Sequence, residues 1–256
     1  MVLAGTLAPL AAPFDPSAQL DVVALKNQPP SATHWLGTDP FSRDILSRVL
    51  HGARTALLIA TTATGVALVA GALWAALAYA AGPRRGGWLL TMADAVRTVP
   101  RLLMLLCASA VVGNWAPMAL AVLVGLSASP IICRVAHAQL TAISVRPFIE
   151  SARALGASRA RVVWRHLAPH LLAPLGATGA LMLADVMALE ASLSFLGLGV
   201  RAPHVSWGSM VQDALPFLGS AWWVAAAPCV CLMITVACAS QVADRLSLPQ
   251  QRHAQP

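Results

Sequence analysis

TALLIATTATGVALVAGALWAALAYAA, residues 55–81, is a run of 27 residues without a single charge. A helix crosses the hydrocarbon core of a bilayer with about 20 apolar residues, so this run is long enough to span. Four further stretches qualify, at about residues 88–112, 117–138, 171–198 and 221–242. None shows the period-2 alternation of a barrel strand. Backbone polar groups in lipid must be satisfied within their own segment, so each stretch is read as a helix. The expected fold class is all-α, a polytopic membrane helix bundle with a five-helix core.

Composition agrees. The chain of 256 residues is 58 % apolar and only 11 % charged, and its mean hydropathy is +0.70. Soluble domains are about 25 % charged, and disordered chains are poorer in apolar residues. The net charge of +7 comes from sixteen Arg and one Lys against ten acids. Clustered between apolar runs, the Arg residues fit the positive-inside bias of membrane proteins better than a nucleic-acid surface. Ten basic residues fall on one side of the expected spans: Arg84, Arg85, Arg134, Arg146, Arg153, Arg159, Arg161, Arg165, Arg245 and Arg252. Five fall on the other: Lys26, Arg43, Arg48, Arg54 and Arg201. The richer side is expected in the cytoplasm, with 14–54 and 199–220 outside. Trp115, Trp207, Trp222 and Trp223 stand near the outer ends, as belt or as packing residues. Cys107, Cys133, Cys229, Cys231 and Cys238 all lie in apolar segments and read as small hydrophobes.

Residues 1–13 are apolar but reach only about 20 Å at ~1.5 Å per residue. With no basic n-region they make a poor signal peptide. They are read as the remnant of a preceding helix, left by a truncation or by a start codon set too far downstream. Residues 14–54 form an outer segment, 55–246 the membrane core and 247–256 an inner tail. Within the outer segment, 39–54 is expected to be an amphipathic helix. Asp39 would cap it, Pro40 would occupy its first turn, and Asp44 and Arg48 would pair at i,i+4.

The longest inner loop, 139–170, predicts a helical hairpin. Pro147 opens its first helix, Gly156 stops it, and Ser158 caps the second. Phe148, Ile149, Ala152 and Leu155 form an apolar stripe, which can dock on lipid, on the bundle or on a partner.

Three motifs resemble a known family. ESARALGASRARVVWRHLAPH (150–170) resembles the EAA loop of ABC importer permeases, with Glu150, Ala152, Gly156 and Pro169 at the pattern's places. Ser151 stands for the usual Ala, and Ala168 for the usual Leu. HWLGTDPFSRDILSRVLHGAR (34–54) and EASLSFLGLGVRAPHVSWGSMVQDA (190–214) resemble the dipeptide, oligopeptide and nickel branch of that family. In the first of these Ser42 replaces a Gly. The likeness covers about residues 15–246. It implies a bacterial inner-membrane permease that works with a second similar permease, two ATP-binding subunits and an external substrate-binding protein. It also implies alternating access, with Glu150, Ala152 and Gly156 coupling the pore to the ATPase.

Other chemistry finds little support. A P-loop needs Gly-Lys, and the single Lys26 follows Leu25. His166 and His170 have helical spacing but lack the zincin Glu, and Pro169 intrudes. Cys229 and Cys231 point apart on a helix. Ser127 has no partner His or elbow motif. No cofactor or metal site is expected. Ionisable residues inside spans are costly and tend to be functional. Asp94, Arg97, Pro100 and Arg101 in the second span, and Asp185 and Glu190 in the fourth, are therefore the candidate pathway and gating residues. Asp94 and Arg97 can pair at i,i+3, or Arg97 can snorkel to the surface. A secondary transporter using Asp185 and Glu190 as its ion site is the competing class, and a membrane scaffold the third.

Overall fold

The computed structural model of the chain describes residues 12–252, apart from 20, 22, 23, 114, 115, 159 and 160. The expected N-terminal remnant, Trp115 and Arg159 thus lie outside the described residues, save for the last two positions of the remnant. Helices run over Ile45–Ala80 (α1), Gly82–Thr98 (α2), Arg101–Val112 (α3), Pro117–Ser144 (α4), Pro147–Ala154 (α5), Leu172–Phe195 (α6), Trp207–Ala214 (α7) and Trp222–Arg252 (α8). Among the described residues there is no strand, only one isolated bridge between Thr38 and Asp44.

Four helices are long and apolar enough to cross a membrane, within Ile45–Ala80, Pro117–Ser144, Ala168–Phe195 and Trp222–Arg245. The fifth expected span is broken. Helices α2 and α3 meet at 77°, and Val99 between them is extended at φ −82°, ψ 124°. Pro100 causes this, since its ring drives the preceding residue out of the helical region. At 12 residues, α3 is about 18 Å long and cannot span alone.

Helix α4 carries Pro130 in its interior. A proline there leaves the carbonyl four residues back without a donor. The Ser129 hydroxyl takes that place, donating to the Leu126 carbonyl at 2.8 Å.

The outer segment departs from expectation. Residues 39–54 do not form a separate amphipathic helix: α1 begins at Ile45 and continues unbroken through the first span. Asp39 accepts from the amides of Phe41 and Arg43 at 2.8 and 2.9 Å, closing a turn. Ser42, at φ +60°, ends that turn in a left-handed conformation. Asp44 is the cap, accepting from the Ser47 amide and hydroxyl at 2.8 and 2.7 Å. Its carboxylate also meets His34 Nδ1 at 2.9 Å, and the expected pairing with Arg48 is absent.

By its contacts the chain divides into two compact units. The first comprises residues up to Thr62, Met104–Ala121 and Leu183–Cys238. Its core is built around Trp207, which is 2 % exposed and donates from Nε1 to the Val49 carbonyl at 3.0 Å. This places Trp207 in packing and not in an aromatic belt; Trp222 remains exposed. Gly52 lets α1 approach that indole, since a Cβ there would stand 2.7 Å from it. The charged residues of the outer segment pair with one another and with α7 in this unit. Arg43 bonds Asp39 at 2.6 Å and Asp213 at 3.0 Å, and Arg48 stands 3.5 Å from the same two carboxylates.

The second unit comprises Ala63–Leu103, Val122–Met182 and the residues from Ala239 on. Here α1 and α4 pack through small residues. A Cβ on Gly125 would stand 2.5 Å from the Ala63 carbonyl oxygen, and one on Gly71 2.6 Å from that of Ser129. Trp74 Nε1 donates to the Leu89 carbonyl at 3.1 Å, tying α1 to α2.

The methyl group in Gly125→Ala has no room, and overpacking of this kind costs about 1–3 kcal/mol. Gly65 has open space around its Cα, so Gly65→Ala should be neutral or slightly stabilising. Thermal unfolding in detergent should lower the midpoint for the first variant and not for the second.

Candidate functional site

The inner elbow of the second unit is built from α5 and the segment after it. Pro147 opens α5, and Glu150 in its first turn lies favourably at the positive end of the helix. Gly156 adopts φ +81°, and the Ala157 amide returns to the Ala152 carbonyl at 3.1 Å. This is a glycine-capped Schellman ending. The space beside Gly156 is open, so conformation and not crowding requires the glycine there. Beyond it the Ser158 hydroxyl accepts from the Arg161 amide at 3.3 Å. The chain then winds as a π-helix over Val162–Leu167 and a 3₁₀ turn over Ala168–Leu171 before entering α6. Pro169 accounts for the irregular winding, as it lacks an amide donor and crowds the turn before it.

The predicted apolar stripe is split by burial. Ile149 is fully buried, whereas Phe148 is 42 % and Leu155 89 % exposed. Glu150 is exposed, Ala152 half-buried and Pro169 exposed. The Phe148 and His170 rings lie 5.9 Å apart, so the two ends of the elbow meet. Trp164, which the reading of the sequence did not single out, adds another exposed apolar surface. A cavity of about 450 Å³ adjoins this elbow, lined by Tyr79, His137, Ala157 and Val162 among others.

The charges of the second span acquire a partner from another helix. Arg134 on α4 donates from Nε to Asp94 Oδ1 at 2.7 Å and from Nη2 to Oδ2, a two-point grip on the carboxylate. Arg97 lies 3.7 Å from Asp94, as its i,i+3 spacing allows. The pair thus joins α2 to α4, which spacing along one helix cannot reveal. The signal for it was a lone Arg134 in an otherwise apolar helix. Pro100 is exposed at the break, and Arg101 is half-buried as the first residue of α3.

In the first unit Glu190 is 1 % exposed. Its Oε1 accepts from the hydroxyls of Ser194 and Ser206, both at 2.7 Å. The Ser194 hydroxyl in turn accepts from the Val200 amide at 3.0 Å, and Ser206 caps α7. Glu190 therefore knots α6 to the loop and helix that follow. Asp185 is exposed. Five residues along a helix place it about 140° round from Glu190, so the two carboxylates do not converge on one ion site.

A model of the binding-protein-dependent transport system inner membrane component family matches residues 67–249. The chain belongs to this family. It is a permease component of the bacterial inner membrane. A putative peptide transport system permease of Brucella suis is 34 % identical over 248 residues, 96 % of this permease and 82 % of the relative. The di/tripeptide transport system permease DppC of Pseudomonas aeruginosa is 31 % identical over 252 residues, with coverage of 96 % and 82 %. The permease also shares its fold with a chain of the MetNI methionine ABC transporter solved in inward-facing conformations. The TM-score is 0.64 at 20 % identity, over 79 % of this chain and 95 % of that one.

Removing one charge of the α2–α4 pair strands the other. Asp94→Leu should lower the yield of folded permease, and the double change Asp94→Leu, Arg134→Leu should recover it, since an ion pair can be replaced by apolar groups with little loss. Monodispersity after gel filtration in detergent reads both.

Proposed function

We propose that this permease is one transmembrane half of an ATP-driven importer of short peptides. It would pair with a second, similar permease and with two ATP-binding subunits. An external binding protein would hand it the solute, and lipid would surround the assembly. The relatives named above supply the peptide class. The observation that carries the coupling role is the exposed elbow at Glu150–Gly156, with Phe148, Leu155 and Trp164 open beside a glycine-capped helix end.

In this reading the Arg-rich side faces the cytoplasm. ATP binding draws the ATPase subunits together. Their movement reaches the permease through α5, whose apolar side chains seat in a groove of the ATPase. Glu150 meets a basic group there, Ala152 lets the surfaces approach closely, and Gly156 holds the angle of the elbow. Pro169 sets the winding where the elbow joins α6. The seating must differ between the two states of the ATPase, because an equal affinity for both would shift nothing. Alternating access then opens the path to one side at a time. Asp94, Arg97, Pro100 and Arg101 line or hinge that path at the bend between α2 and α3. Asp185 faces outward from α6, and Glu190 holds the outer loop in place. Glu190 is sealed by two hydroxyls, which disfavours an ion-driven carrier built on it.

Gly156→Pro forces φ near −65° where +81° is required. Glu150→Lys reverses the charge offered to the ATPase. In proteoliposomes carrying the complete transporter, each should cut peptide uptake by about tenfold or more, the effect of losing about 1.4 kcal/mol of coupling. Membrane insertion and basal ATP hydrolysis should persist. Full uptake by both variants would remove the elbow from the mechanism.

A further inference from the structure

Arg54 is the last charge before the 27 uncharged residues 55–81. At ~1.5 Å per residue that run is about 40 Å long, the thickness of a bilayer taken through its polar headgroup regions. This length puts Arg54 at the level of the lipid headgroups. A cavity of about 400 Å³ opens there in the first unit, within the range of small-molecule sites. His51, Arg54 and Leu58 line it as one stripe of α1, at i, i+3 and i+7. Met118 joins them from the start of α4, and His204 from the loop before α7.

The wall changes character with depth. Its outer part carries a guanidinium and two imidazoles. About one turn further into the span it becomes aliphatic at Leu58, with Met118 as its companion, and both are exposed. Arg54 is exposed, and among the described residues it has no carboxylate within ion-pair distance. The wall includes no acid among those residues either. Asp15 is within electrostatic reach of His51, but it lies outside this wall and its Oδ1 is taken by the Ser17 amide and hydroxyl at 2.8 and 2.5 Å. His51 Nδ1 stands 2.9 Å from the Ser47 carbonyl. A carbonyl only accepts, so Nδ1 carries the proton and the neutral ring keeps Nε2 as an acceptor.

We infer that this cavity seats an anionic phospholipid with a hydroxylated headgroup. Its phosphate lies against Arg54, whose fork matches two phosphate oxygens. A headgroup hydroxyl donates to His51 Nε2, and an acyl chain runs along Leu58 and Met118. A free phosphate would satisfy Arg54 and leave the aliphatic part of the wall uncovered, whereas a lipid matches the order from charge to hydrocarbon. The site is independent of the importer reading and needs only that the chain lies in a membrane.

The test takes the assembled transporter, delipidated in mild detergent, and titrates it with phosphatidylglycerol and with phosphatidylcholine, counting bound lipid by native mass spectrometry. Phosphatidylglycerol should bind saturably. Phosphatidylcholine, which lacks the hydroxyl and sets a cation beside Arg54, should bind about tenfold more weakly, as losing one charge-assisted hydrogen bond implies. Arg54→Gln should weaken phosphatidylglycerol by about tenfold and erase the preference, and Arg54→Lys should keep most of it. Arg201→Gln removes another exposed outer charge that is not in this wall and should change nothing. Leu58→Asn should weaken the lipid, and millimolar inorganic phosphate should not displace it. If Leu58→Asn fails to insert, the Arg54 pair and the phosphate competition still decide. Equal binding of the two lipids, unchanged binding in Arg54→Gln, an equal loss in Arg201→Gln, or displacement by inorganic phosphate would overturn the site.

Discussion

A peptide group surrounded by hydrocarbon can bond only within its own segment or to protein beside it. That constraint makes every span here a helix and governs how each irregularity is repaired. Where Pro130 takes a donor out of α4, the neighbouring Ser129 hydroxyl supplies one. Thr61 on α1 likewise turns its hydroxyl back to the Leu57 carbonyl at 2.7 Å. At the break before Pro100 the Thr98 hydroxyl donates to the Ala95 carbonyl at 2.7 Å, and Val99 is 46 % exposed. Open backbone at such a place has to be covered by protein or to line water.

The two units hold together by different means. Lipid removes the hydrophobic drive between helices, so close packing must replace it. In the second unit Gly71 and Gly125 let the α1 and α4 backbones approach, and the Asp94–Arg134 pair adds a polar fastening. The first unit instead buries charge and hydroxyl groups in mutual contact, with Asp39, Arg43, Arg48 and Asp213 in one network and Glu190, Ser194 and Ser206 in another.

Much of this is legible in the residues themselves. Apolar runs mark the four unbroken spans, because length and lack of charge are sufficient evidence for a membrane helix. The elbow is legible too, as Pro147, Gly156 and Ser158 each carry a local conformational preference that needs no tertiary partner. Contacts between distant positions are not legible in this way. Asp213 lies 170 positions from Arg43, and nothing in the spacing links them. The outer segment misleads for a related reason: Arg48 and Ser47 look solvent-facing by pattern, yet they find partners that let them be buried. Asp39 and Asp44 are both good caps, and only the left-handed Ser42 between them decides which one starts the helix.

The π-wound stretch at Val162–Leu167 sits between the elbow and a membrane-spanning helix. Such a turn holds one residue more than an ordinary one. Rewinding it would pass that surplus along the chain, rotating whatever lies ahead by about 100° and advancing it by about 1.5 Å. The tighter 3₁₀ turn at Ala168–Leu171 takes up part of that slack before α6 begins.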